Sequence, residues 1–169
     1  MKVFYTYIKY YISDGKIISI VIPVKGKNDK FLVAVDETLT VITWDGESTK
    51  PQNAEVIAKV EERDNLPIRF NDAKVDPTGL LWIGTLSHDM TKNEFNKGAG
   101  SLYSFSKKDK KLVEHLDGLT IANGLAWSSD LKNMYYIDTP TKRVDVFDYN
   151  SKEGKICKLI HFLTNNFQK

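Results

Sequence analysis

A single cysteine, Cys157, stands in a chain of 169 residues, so no intrachain disulfide can form and no cysteine cluster can hold a metal. The stretch Met1 to Val24 is aromatic and apolar, but Lys9 interrupts it and no small-residue cleavage site follows. A secretory signal is therefore not expected. No apolar run approaches the roughly eighteen residues that a membrane-spanning helix needs. A cytoplasmic protein that does not engage membranes is the reading. Excess charge of one sign is also lacking: 24 basic against 22 acidic side chains leave a net of +2. The densest basic cluster, Lys107, Lys108, Lys110 and Lys111, reads as a solvated hairpin tip, and a nucleic-acid partner is not expected. The chain has no Gly-rich phosphate loop, no histidine pair at metal spacing and no nucleophile elbow. Almost nothing keeps a helical period for about ten residues.

What the chain does have is a series of short apolar runs of about four to six residues, rich in Val, Ile, Tyr, Phe and Trp and bounded by Gly, Asp, Asn or Pro. They predict strands at Lys16 to Pro23, Phe31 to Val35, Thr38 to Trp44, Glu55 to Lys59 and Leu80 to Thr85. More follow at Gly100 to Ser106, Lys111 to Leu116, Gly124 to Ser128, Asn133 to Asp138 and Arg143 to Tyr149. The fold class is all-β.

These strands recur in phrases. A polar turn leads into a short apolar strand that ends on a small or acidic residue, at Phe31 to Asp36, Leu80 to Thr85 and Met134 to Thr139. The phrases repeat at about fifty residues, the blade period of a β-propeller. About three blades of four-stranded antiparallel sheet can be built, fewer than the roughly four to eight that close a ring. A partial propeller, a pairing with a second copy, or a β-sandwich satisfies that count. Two other patterns carry no chemistry. The Trp44-Asp45 pair occurs once, and Asp148 to Glu153 reads as a hairpin turn, because Lys152 and Glu153 stand where a calcium loop needs an oxygen ligand and a glycine.

Polar residues crowd in one place, Arg69-Phe70-Asn71-Asp72, just ahead of the Asp76-Pro77-Thr78-Gly79 turn. By themselves Asn71 and Asp72 read as a turn cap, and Arg69 as half of a surface ion pair with Asp72 or Glu62. Asn123-Gly124 reads either as a turn before a strand or as an amide ligand beside a flexible backbone. His88 reads as a solvated loop residue between Ser87 and Lys97. Asp138 either faces inward at a strand end or caps the next turn.

The segments Arg69 to Thr85 (RFNDAKVDPTGLLWIGT), Gly100 to Phe105, Ala122 to Thr139 and Val144 to Ile156 closely resemble the SMP-30/gluconolactonase/LRE-like family. Val21 to Ser48 is similar to that family's second blade, so the resemblance covers about residues 8 to 157 of a single domain spanning 1–169. It implies a partial six-bladed β-propeller and metal-dependent hydrolysis of a sugar lactone. Such chemistry needs a Lewis acid on the carbonyl, a base for water, and hydrogen bonds to the ring hydroxyls. The resemblance implies that Arg69, Asn71 and Asp89 contact substrate. Asp89 stands where many members carry Glu, one methylene longer. Asn123 is implied as a ligand of a divalent metal, Ca²⁺ first, with Zn²⁺, Mn²⁺ or Mg²⁺ as the others. No catalytic base is assigned. The family's metal-binding Glu has no counterpart before Tyr5, and its metal-binding Asp, which also serves as the base, would follow Lys169. Weak metal binding and weak or absent activity are expected for the chain as written. The alternative is a binding module without catalysis, or a half-propeller that homodimerises.

Overall fold

The run Leu81–Leu86 is apolar at consecutive positions, and every one of its residues is buried. A strand of that kind must be covered on both faces. The architecture shows how. A computed structural model describes residues 15–164, and the side chains of residues 15–160. Most of the N-terminal segment discussed above, and residues 165–169, lie outside the described residues.

Three four-stranded antiparallel sheets follow one another along the chain. The first blade is β1 (Ile18–Pro23), β2 (Lys30–Val35), β3 (Thr38–Thr43) and β4 (Asn53–Lys59), in that spatial order. The second holds β5 (Arg69–Val75) and β6 (Leu81–Leu86). A two-stranded ribbon, β7 (His88–Asp89) with β8 (Glu94–Phe95), interrupts it before β9 (Gly100–Ser106) and β10 (Lys111–Leu119). Its spatial order is β5-β6-β9-β10. The third blade is β11 (Ala122–Trp127), β12 (Asn133–Asp138), β13 (Arg143–Asn150) and β14 (Lys155–Thr164). A single 3₁₀ turn, Thr139–Thr141, is the helical element among the described residues. No helix there is long and apolar enough to cross a membrane. The fold is all-β, three propeller blades forming an open arc rather than a closed ring.

The core lies between blades. Leu81 and Ile83 of β6 join Phe70 and Phe105 against Ile20, Ala34 and Leu39 of the first blade. On the other face, Trp82 and Leu102 meet Leu125, Met134, Tyr136, Phe147 and Tyr149 of the third. The alternation of one strand thus serves two interfaces. Asp76 ties the same seam: its carboxylate accepts from Thr78 N (2.7 Å), Thr78 Oγ1 (2.6 Å), Leu80 N (3.1 Å), Trp82 Nε1 (3.3 Å) and the hydroxyl of Tyr149 on β13. Burial alone would raise the Asp76 pKa, but the hydrogen bonds from Thr78, Tyr149 and Leu80 outweigh it and hold the carboxyl low.

The strands expected from the apolar runs are all present, with ends shifted by a few residues. Four strands, β5, β7, β8 and β14, were not anticipated, and three readings change. Arg69–Val75 is a strand, not a turn ahead of one. Asn123 and Gly124 lie inside β11 and not in a turn before it. Lys155–Thr164 adds the outermost strand of the third blade. One cause explains the first two. In β5 the register passes from Phe70↔Thr85 to Ala73↔Ile83, so Asn71 and Asp72 together oppose Gly84. The extra residue is a β-bulge, which breaks the polar–apolar alternation that marks a strand in sequence. In β11 the register steps from Asn123↔Ile137 to Leu125↔Tyr136, and in β1 from Ile18↔Val35 to Ile20↔Ala34. Each first strand of a blade carries one bulge, centred near Ser19, Asn71 and Gly124.

Candidate functional site

The bulged ends of these first strands meet. Phe70 N donates to the Asp36 carbonyl in the β2–β3 turn (2.9 Å), joining the start of β5 to the first blade. Arg69 pairs with Leu86 at the end of β6, and Leu86 bridges to Ile121 just before β11. Asn71 Nδ2 donates to the Ala122 carbonyl on β11 (2.9 Å), spanning the seam between second and third blades. Arg69 and Asn71 at the start of β5 and Asn123 at the start of β11 therefore stand at one end of two adjoining strands. A bulge lies at Asn71–Asp72 in β5 and at Gly124 in β11, and bends each strand there.

Each residue is held differently. Arg69 is half-buried; its Nη1 donates to the Phe70 carbonyl (3.2 Å), while Nε is buried without a hydrogen-bond partner. Burial lowers its pKa and the charge of Asp36 opposes that shift. The expected ion pair of Arg69 with Asp72 or Glu62 is not made. Asp72 Oδ1 instead accepts from the neighbouring Ala73 N (2.9 Å). Asn71 spends its amide nitrogen on Ala122, which turns Oδ1 away as a remaining acceptor. Asn123 does the same with Thr139, donating from Nδ2 to Oγ1 (2.9 Å). No described residue donates to its Oδ1.

Asp89 lies apart from these three in its bonding. Its Oδ1 accepts from Thr91 Oγ1 (2.7 Å), Thr91 N (2.9 Å) and Lys92 N (3.3 Å), and Lys92 Nζ stands 3.4 Å from Oδ2. The Thr91 hydroxyl, followed by its amide, holds the carboxyl down at about 2. Asp89 thus shapes the tip of its own ribbon. His88 stacks on Phe95 (4.6 Å between centroids) and its Nδ1 lies 3.0 Å from Met90 Sδ, so it is engaged within the ribbon and not free in a loop. Asp138 does not cap the turn that follows it, where its side chain makes no cap bond; its carboxylate instead accepts from Thr120 N (3.1 Å) and Ile121 N (2.8 Å), just ahead of β11.

These donors fall short of a divalent-metal site. Asn123 offers one oriented amide oxygen, but no group of three His, Cys, Asp or Glu side chains able to hold an ion occurs among the described residues. Asp138 is already committed to backbone N–H groups. The described residues supply one ligand and not a complete set, so no step is assigned to a metal here.

Sequence reasoning missed Asp36, whose backbone fixes the start of β5, and Thr139, which sets the Asn123 amide. Neither has a motif. The bulges left one signal, the doubled polar residues Asn71-Asp72 inside an otherwise alternating segment, but a turn leaves the same signal.

Comparison with known proteins agrees with the fold. The family model described as SMP-30/gluconolactonase/LRE-like region matches residues 8–167. Regucalcin of Xenopus laevis is 36% identical over 129 residues, covering 76% of this chain and 41% of that protein. Regucalcin of Homo sapiens is 35% identical over 126 residues, covering 75% and 40%. The chain spans about two fifths of the length of these curated relatives. Among solved structures, a luciferin-regenerating enzyme superposes with a TM-score of 0.76 at 41% identity, covering 85% of this chain and 46% of that one. A calcium-binding regucalcin from Agrobacterium tumefaciens shares the fold, with a TM-score of 0.68 at 24% identity over 89% of this chain and 45% of that one. A family match over nearly the whole chain, and relatives this similar across three quarters of it, carry one conclusion: the chain belongs to the SMP-30/gluconolactonase/LRE-like family.

Proposed function

We propose that this chain is the sugar-lactone-binding portion of a lactone hydrolase of the gluconolactonase kind. The observation that carries the reading is the meeting of Arg69, Asn71 and Asn123 at the bulged ends of adjoining strands. Arg69 offers forked donors, while Asn71 and Asn123 have their amide nitrogens committed and present oxygens as acceptors. A polyhydroxylated ring needs both kinds of partner. Asp89 belongs to the same site in this reading, although its carboxylate is engaged in the ribbon. Its reach is shorter than that of a glutamate. A divalent cation, calcium first, would meet Asn123 Oδ1 and bind weakly to this one ligand. Membership of a family named for gluconolactonase supports the substrate class.

The test is proton release from D-gluconolactone by the purified chain with millimolar calcium. Slow hydrolysis above the buffer blank is expected, reduced about tenfold by Asn123→Ala or by Arg69→Ala, as loss of a charged or directed hydrogen bond implies. A trace superimposable on the blank sinks the hydrolase reading. A homodimer that completes the arc of blades, and a reducing cytoplasm suited to the exposed thiol of Cys157, belong to the same proposal. Light scattering on the folded chain should report twice the chain mass, and a monomer rules the dimer out.

A further inference from the structure

Strand direction sends the turns of each blade to two ends of the arc. β5 and β11 begin at the candidate site and run away from it, into the turns at 76–80 and 128–132. The β9–β10 turn (107–110) and the β13–β14 turn (151–154) lie at that same far end, as antiparallel pairing requires. These turns adjoin. Tyr149 N donates to the Lys132 carbonyl (2.7 Å), a Cβ on Gly154 would meet Leu80 Cδ2, and the charge of Lys155 acts on His115 of β10.

Charge is divided unevenly between the two ends. All three arginines, Arg63, Arg69 and Arg143, lie at the site end. At the far end of the second and third blades the cation is lysine. Lys107, Lys108, Lys110 and Lys111 surround one turn, Lys132 stands in the next and Lys152 in the third. All six are exposed, and none makes an ion pair with a described residue. The acidic residues of these turns are spent inside them. Asp109 accepts from Ser106 Oγ (2.9 Å), Asp130 from Ser128 Oγ (2.6 Å) and Lys132 N (3.1 Å), and Glu153 stands 3.2 Å from Lys155 Nζ. Counting Lys155 and the exposed Asp148 nearby, seven lysines stand against four carboxylates. The chain's net of +2 conceals this gathering of positive charge.

The chemistry of this end narrows the partner. None of the large exposed apolar side chains lies in these three turns, and the turns hold no aromatic residue. An ordered protein is gripped through aromatic or arginine anchors, and a single-stranded nucleic acid through stacked aromatics. Separate ammonium groups on flexible stems suit a fluid array of anionic headgroups, which can gather beneath them. We propose that the far end of the second and third blades docks on an anionic lipid surface, by electrostatic attraction without insertion. The candidate site, at the opposite end, stays open to solvent in that pose. A contact of this kind needs no apolar run, so it revises the expectation of a protein that does not engage membranes.

The test is co-sedimentation of the purified full chain with vesicles of phosphatidylcholine, alone or with about one third phosphatidylserine. At about 0.1 M salt the partition coefficient should be about tenfold or more higher on the anionic vesicles. It should collapse at about 1 M salt, where the Debye length falls to about 3 Å. Two double variants remove the same charge from opposite ends: Lys107→Gln with Lys108→Gln, and Lys97→Gln with Lys142→Gln. The first should weaken binding about tenfold, as the loss of two lysines near the surface implies, and the second should leave it unchanged. Circular dichroism confirms that both variants fold. Equal partition onto the two kinds of vesicle overturns the proposal. Equal loss from both double variants assigns the attraction to net charge and overturns this surface. Release from the anionic vesicles by polyuridylate or polyglutamate, added well below the charge of the lipid present, overturns the lipid assignment in favour of that polyanion. None of these outcomes depends on whether the opposite end binds a sugar.

Discussion

At the scale of single residues, buried polar groups in this chain are mostly satisfied by neighbours, and their protonation is linked to folding. His115 on β10 packs against Trp82 in a tilted ring contact with centroids 4.5 Å apart, and its Nε2 lies 2.8 Å from Ser104 Oγ. Burial first, and the charge of Lys155 second, lower its pKa. An unfolded histidine titrates near about 6.5. As pH falls through that value the unfolded chain gains a proton that the folded chain refuses, so stability declines and then levels below the folded pKa. Urea midpoints should therefore be lower in mildly acidic than in neutral buffer, and His115→Gln should shrink that difference. An undiminished difference in the variant would show that other groups carry it. The same scale explains what was readable at the site. Arg69 and Asn71 stood out as polar residues in an odd place. Their unpaired and half-committed bonding did not, because it depends on Asp36 and Ala122 arriving from distant parts of the chain.

At the scale of elements, the ribbon β7–β8 shows a structural claim competing with a functional one. The sequence between Ser87 and Lys97 reads as a loop, since strands two residues long leave no periodicity to detect. Asn96 closes its base on Ser87, through backbone N to O (3.0 Å) and Nδ2 to Oγ (2.9 Å). Asp89 closes its tip. If the carboxylate is the organiser, Asp89→Ala should raise amide exchange at Thr91 and Lys92 by about tenfold, while amides of β6 keep their protection. Unchanged exchange at the tip would show that the ribbon stands without it and free Asp89 for the ligand role. β5 makes a related point. Its bulge faces Asn71 and Asp72 toward a single glycine, Gly84, so a segment with few apolar residues is still a strand.

At the scale of the whole molecule, the close approach of blades decides stability. A Cβ on Gly84 would run into the Ala122 Cβ, with the Ala122 carbonyl carbon at 3.3 Å and Cα at 3.4 Å. These are backbone and stub atoms with no rotamer to change. Gly84→Ala should cost about 2–3 kcal/mol in chemical denaturation, as overpacking of a tight seam does. A variant as stable as the parent would mean that the second and third blades can slide apart freely. The sequence by itself determined the strand class, the number of repeats and the family, because short β-branched and aromatic runs, turn residues and motif order are local properties. It also marked Arg69, Asn71 and Asn123. Only the tertiary structure decided that the polar crowd is a bulge, that Asp89 is tied into its own ribbon, and that Arg69, of the three arginines, makes no ion pair with a described residue. Those facts are made by contacts between strands far apart in the chain, and no local pattern of residues encodes which carbonyl or carboxylate will arrive beside a given side chain.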